Sequence, residues 1–414
     1  MIVQRLSGLN RVVVGSVSVL TVFMLIVLDV ALSVSNPLKF LNSTGLAGPN
    51  QYFITDKLPE FLASGLSPEV IMTGSSLFLF PAVRCDDEFC RRRTRYDKEY
   101  LHNHVACYSK ALYLEGELCR RAGKPLSVAN LATLGELISD QYLVFKKCIS
   151  SLKKPAVLVC DISPRAFLDN NLPDPRLTPV YLALQDQVCL GDLLETHADS
   201  AQISQLMLGR AWHFFQLRGN YRDFCNQLVA RLSNHPSNLY FAMHPQLPAA
   251  DKNVGAPKPL GAAAPEKSHK PIFDAPDNTL GDLEAYRRDY QPLTMSHFKV
   301  QSIYLKKLLA LARDQHVAVL LVDMPLMPQN TELLPPAFLK QYEIELAMQA
   351  KAYDAVLIRP ALSESFASSD FEDSAHLNAS GGRKLYKAIS AEVAALLFRP
   401  GKTTGIAAGK GSCP

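Results

Sequence analysis

Five short apolar runs recur along the chain, each ending in turn chemistry: Glu69–Thr73, Leu126–Leu131, Ala156–Cys160, Val317–Val322 and Val356–Ile358. They are too short for helices and lack a polar face, so they read as strands of a buried sheet. Helical spacing fills the gaps, over Tyr96–Arg120, Glu136–Leu152, Ser296–Gln315 and Pro336–Ala352, with a closing helical pattern through Leu397. A strand–helix–strand rhythm demands right-handed crossovers and parallel strands, which makes the fold class α/β. With 414 residues, 48% of them hydrophobic, the chain can bury one large α/β core or two smaller ones.

Charge excludes one class of partner. The net charge is +4 and charged residues make up 20% of the chain, so no global nucleic-acid footprint exists. The basic run Arg91-Arg92-Arg93-Thr94-Arg95 lacks interleaved aromatics and reads as a solvated face, with an anionic polymer or lipid headgroup as the alternative.

From Val12 to Leu28 the chain is uncharged, and its apolar character resumes after Asp29. That is near the minimum for crossing a bilayer. Arg5 and Arg11 precede it and only Lys39 closely follows, so the positive-inside bias keeps the N-terminus cytoplasmic and puts the rest outside. The expected organisation is a cytoplasmic segment 1–11, a transmembrane anchor 12–34, a tether 35–66, an α/β domain 67–399 and a loose tail 400–414. Inside the domain, 178–233 reads as a helical insertion and 244–278, rich in Pro, Ala, Gly and Lys, as a flexible one. A cleaved signal peptide ending near Ala31-Leu32-Ser33 is the alternative to the anchor. The nine cysteines show no zinc-finger spacing, so neither a metal nor a cofactor is expected. Cys85 and Cys90 are a disulfide candidate in an oxidising compartment.

Chemistry concentrates at the first strand's end and near the chain's end. After Thr73 come Gly74-Ser75-Ser76-Leu77, a glycine turn that lifts a serine off the sheet onto a helix N-terminus, where backbone N–H groups can hold an oxyanion. Alone this is common turn chemistry, and the residues leave both serines open as nucleophile. Pro81 is expected to end the Leu77–Phe80 run. Far downstream, Asp373-Ser374-Ala375-His376-Leu377-Asn378 places a carboxylate three residues before an imidazole, the orienting half of a triad.

Together these segments resemble the SGNH, or GDSL-like, hydrolase superfamily, and within it membrane-anchored bacterial members: the D-alanyl-transfer protein of teichoic-acid modification, alginate-type O-acetyltransferases and a domain family of unknown function. The resemblance implies a three-layer, flavodoxin-like α/β/α fold with Ser76 as nucleophile, His376 as base and Asp373 as its orienter. It further implies that Gly135, in the Asn130–Gly135 block, donates its N–H to the oxyanion. The family's third block supplies an asparagine. Here Asp161-Ile162-Ser163-Pro164 stands in its place, leaving Ser163 as the replacement donor. Arg165 follows as a substrate contact, against the alternative of a structural ion pair with Asp161 or Asp169. Asp323, at a strand's carboxyl end, is expected to orient a substrate hydroxyl.

The function so implied is extracytoplasmic serine acyl transfer, an O-acyl- or acetyltransferase acting on an envelope or extracellular polysaccharide. Its partners would be an acyl donor, that polymer and a membrane-bound acyltransferase. An esterase or deacetylase, and a non-catalytic envelope assembly or binding protein, are the other two readings.

Overall fold

The structure, a computed structural model, describes residues 2–35, 52–91, 105, 107–212 and 279–398. The insertion 244–278, residues 213–233 of the helical insertion with His213, residues 36–51 of the tether, residues 92–95 of the basic run, and the tail lie outside the described residues. Two compact units divide the chain, one from Met1–Ala47 and Val188–Pro245, the other from Gly48–Gln187 and Gln246–Pro414. The first holds α1 (Ile2–Ser35), a continuous helix of 34 residues, and the short helices Leu190–Glu195 and Ser200–Ala211. Among the described residues no helix is long and apolar enough to cross a membrane.

The second unit is built on five parallel strands: β1 (Val70–Thr73), β2 (Val128–Asn130), β3 (Val157–Ile162), β4 (Ala318–Asp323) and β5 (Val356–Ile358). Their spatial order is β2-β1-β3-β4-β5. β1, β2 and β3 are buried at every residue, as parallel strands covered on both faces must be. Helices flank the sheet: α2 (Ser76–Phe89), α3 (Leu112–Ala122), α4 (Ile138–Ser150), α5 (Thr279–Tyr290), α6 (Met295–Asp314), α7 (Pro336–Ala352) and α8 (Ala379–Leu397). α2, α3 and α8 pack together, tied by Tyr386 Oη donating to Phe78 O at 3.0 Å and Arg121 Nε to Ser390 Oγ at 2.9 Å. α4, α6 and α7 form a second group, tied by Gln301 Nε2 to Ser139 Oγ at 3.1 Å and Gln349 Nε2 to Ser302 O at 3.0 Å.

The strand order reverses between β1 and β3: the chain leaves β1 for β2 on one side and returns to β3 on the other. In open α/β sheets this switch point opens a crevice outside the carboxyl ends of the strands, where ligands bind.

Two local expectations fail. Pro81 does not end the apolar run; it lies inside α2. A proline there forfeits one backbone hydrogen bond at a cost of about 3 kcal/mol, which the burial of α2 against α8 offsets. Its ring faces Gly382, where a Cβ would come within 2.9 Å of Pro81 Cβ and 2.6 Å of Cys85 Sγ. Neither Cys85 nor Cys90 is in a disulfide. Five residues apart around one helix end, their side chains leave on different sides. Cys119, by contrast, is disulfide-bonded.

Candidate active site

β1 delivers the first component. It stops at Gly74, whose φ is +150° and where a Cβ would sit 2.5 Å from Asp161 Cγ and Oδ2. Only glycine fits that turn against that carboxylate. Ser75 then caps α2, its Oγ accepting from Leu77 N at 3.2 Å. The same residue donates twice to Asp161 Oδ2, from its backbone N at 2.6 Å and its Oγ at 3.0 Å. Ser75 is therefore buried and fully engaged in holding the turn. Ser76, the first residue of α2, is the serine that reaches the histidine: His376 Nε2 lies 2.8 Å from its Oγ.

The second component is a tight loop ahead of α8. A bridge between Phe371 and Leu377 closes it, and Glu372 N donates to His376 O at 2.8 Å. Asp373 divides its oxygens. Oδ1 accepts from the backbone N of Ala375 at 2.9 Å and of His376 at 2.7 Å, shaping the turn, while Oδ2 accepts from His376 Nδ1 at 2.7 Å. That partner puts the proton on Nδ1 and leaves Nε2 free to accept from a serine hydroxyl.

The loop is held at one end by α2 and at the other by α8. Arg84 Nη2 donates to Glu372 Oε2 at 2.8 Å, and Asn378 caps α8 by accepting from Ser380 N at 2.9 Å and Gly381 N at 3.2 Å. Phe80, one turn along α2 from Ser76, lies 4.9 Å from the His376 ring, tilted by 60°.

Burial opposes the charge on both titrating partners, and their pairing overcomes it. Desolvation pushes the Asp373 carboxyl up, but the His376 charge and hydrogen bonds bring it below its ordinary value. Desolvation pushes His376 down, but Asp373 first, then Asp282 and Glu372, raise the imidazole above its ordinary value.

The second turn, Thr133-Leu134-Gly135, is laced to the first. Thr133 N donates to Gly74 O at 2.8 Å, and the buried Glu136 accepts at Oε2 from Gly74 N at 3.1 Å and Thr133 N at 3.3 Å. Beneath it Lys57 Nζ donates to Ala132 O at 2.7 Å. Burial lowers this lysine to about 7 despite Glu136 nearby, and raises Glu136 well above the carboxylate range. Among the described residues the N–H groups of Ser76 and Gly135 have no acceptor.

The structure places the other expected residues as follows. Ser163 is buried just past β3, opening a 3₁₀ turn in which its carbonyl accepts from Ala166 N at 3.1 Å. No hydrogen bond among the described residues joins it to the triad. Arg165 is engaged by two carboxylates, Asp169 at 2.7 Å and Asp289 at 3.2 Å, and its guanidinium passes 3.5 Å from where a Gly135 Cβ would stand. The ion pair to Asp169 is thus formed, whereas Asp161 serves Ser75 instead. Asp323 is occupied by Tyr342 Oη at 2.8 Å and Arg359 Nε at 3.2 Å, so it ties β4 to α7 and β5 rather than facing a substrate.

Sequence reasoning missed α5. Its Asp282 accepts from Ser374 N at 3.1 Å and from Ser374 Oγ, and offers an oxygen within 4.8 Å of Asp373 and His376 ligand atoms. Both ring nitrogens of His376 already have partners, Asp373 and Ser76, which leaves this trio poorly disposed to hold a cation. The signal for α5 was the spacing of Asp282, Tyr286, Asp289 and Tyr290, one helix face, hidden behind the low-complexity stretch before it. Compared with models of known protein families and with curated proteins, the chain matches none.

Proposed function

We propose that this chain is a serine acyl-transfer enzyme of the SGNH, GDSL-like type. The carrying observation is the continuous Ser76–His376–Asp373 chain, with links of 2.8 Å and 2.7 Å, at the switch point of a parallel sheet. In this reading right-handed crossovers set α2, α3 and α8 on one face and α4, α6 and α7 on the other, a three-layer, flavodoxin-like arrangement.

The chemistry follows from the geometry. Ser76 Oγ attacks an acyl carbonyl while His376 Nε2 takes its proton, and Asp373 stabilises the imidazolium. The oxyanion settles on the Ser76 N–H at the start of α2 and the Gly135 N–H. Collapse expels the leaving group, protonated by His376, and leaves a seryl ester. A second hydroxyl, deprotonated by His376, attacks that ester and carries the acyl group away. Ser75 stands where the family has an aspartate, and Asp161 supplies the missing carboxylate from β3.

The acceptor in this reading is a polysaccharide or other envelope polymer, and the acyl group arrives from a membrane-bound acyltransferase partner. Location outside the cytoplasm is supported by the disulfide at Cys119, which suits an oxidising compartment.

The test is burst release of p-nitrophenol from p-nitrophenyl acetate. A burst lost in Ser76→Ala and His376→Ala but kept in Ser75→Ala supports the reading. A burst absent from the wild type, or surviving Ser76→Ala, refutes it in favour of a non-catalytic scaffold. Acyl transfer to added polysaccharide, set against free acid released, then separates transferase from esterase.

A further inference from the structure

The residue outside the triad with the most to say is Asp282. It reaches the catalytic loop from α5, a separate element, and lands on Ser374, between Asp373 and His376. Ser374 is fully buried, and its polar groups are all taken. Its N and Oγ donate to Asp282, its carbonyl accepts from Met327 N at 3.0 Å, and its Oγ accepts from Asn330 Nδ2 at 2.9 Å. Asn330 Oδ1 in turn accepts from Tyr290 Oη at 3.0 Å. Asp282 and Tyr290 lie eight residues apart, two turns along one face of α5. The bonds therefore close a ring, helix to loop to Asn330 and back to the same helix, around the residue that joins the base to its orienter.

The ring does more than anchor. The Asp282 carboxylate lies close to both Asp373 and His376. Burial pushes the Asp282 carboxyl up, as does the neighbouring Asp373 charge, while Ser374 and His376 counter them. Among the described residues, the charged groups facing His376 can be named. Asp373 and Glu372 come from its own loop, Glu372 neutralised by Arg84 of α2; Asp282 comes from α5; α2 otherwise presents Ser76 and Phe80.

We propose that Asp282 is a positioning residue of the triad, a second carboxylate brought in by α5 that fixes the Asp373–His376 turn through Ser374 and adds its charge behind the imidazole. This rests on reading Ser76, Asp373 and His376 as a triad. An imidazolium formed during acyl transfer meets two carboxylates instead of one. The helix that supplies the second is also the helix whose Asp289 holds Arg165, so α5 braces both sides of the site.

Two variants separate tether from charge. Asp282→Asn keeps an acceptor and a donor for Ser374 and removes the charge; Asp282→Ala removes both. The first readout needs no turnover: the titration of the His376 ring by NMR in the full chain carrying Ser76→Ala, with and without Asp282→Asn. A midpoint that falls in the double variant supports the proposal; a midpoint that stays or rises overturns it. The second readout is the pH profile of the p-nitrophenyl acetate burst. The acid limb moves to lower pH in Asp282→Asn, and the plateau rate in Asp282→Ala falls roughly ten- to a hundred-fold as the loop loosens. An active wild type with neither change overturns the role of Asp282 and leaves the triad standing. No wild-type burst, but a shifted His376 midpoint, sinks the acyl-transfer reading and leaves Asp282 placed as described.

Discussion

Gly74→Ala tests the linkage between the sheet and the nucleophile. Two penalties fall on it. A φ of +150° is a region that side chains other than glycine rarely adopt, costing about 1–3 kcal/mol of stability. The added Cβ would also stand 2.5 Å from Asp161 Cγ, against an ordinary carbon–carbon separation of roughly 3.5 Å, so turn or carboxylate must give by about 1 Å. Neither can give privately, because Asp161 Oδ2 holds both donors of Ser75 and Ser75 caps the helix that begins with Ser76. The displacement therefore passes to the nucleophile, and a misplacement of about 1 Å costs roughly a hundred-fold in rate. The assay is burst kinetics with p-nitrophenyl acetate alongside thermal unfolding. Gly123→Ala is the control: its φ is +66° with nothing within 4 Å of the added Cβ, so it loses about 1–2 kcal/mol of stability without slowing the burst. A folded Gly74→Ala protein that bursts at the wild-type rate would refute the reasoning.

Other expectations follow from the same geometry. Ser75→Ala retains the burst but loses about 1–2 kcal/mol, the worth of a helix cap, read by urea unfolding; a Ser75→Ala protein with wild-type stability contradicts its role as cap. The burst rate rises with pH through an acid limb above the ordinary histidine value, because His376 acts as the neutral base and its neighbours raise it; a limb below that value contradicts the pairing with Asp373. Lys57 falls from 10.5 unfolded to about 7 folded, so the unfolded chain binds more protons between those values and wild-type stability rises with pH across that window. Lys57→Met flattens this rise in urea melts at pH 7 and 9, and an unchanged slope would place the lysine's charge in water.

The strand rhythm was legible because buried parallel strands announce themselves locally, as brief apolar runs ending in turn chemistry. β5 falls where expected, and the other strands differ by a residue or two at their ends. One such difference matters: β3 runs on through Asp161 and Ile162, so Asp161 is a strand residue aimed at the Ser75 turn rather than a loop residue facing a ligand. Pro81 misled because its cost is local while the packing of α2 against α8 is not. α5 escaped notice because its meaning lies in its partners, Ser374, Asn330 and Arg165, none of them near it in sequence.

By itself, then, the sequence determined the α/β rhythm, the glycine turn with its two serines and the Asp-x-x-His loop, since each is a matter of local spacing and backbone freedom. Only the tertiary structure chose Ser76 over Ser75, gave Arg165 two carboxylates, and brought Asp161, Glu136 and Asp282 to the turns they hold. Those choices depend on distances across as many as 300 residues of chain and on burial. Burial sets the charge balance at each carboxylate and leaves each donor only the partners the fold brings within reach.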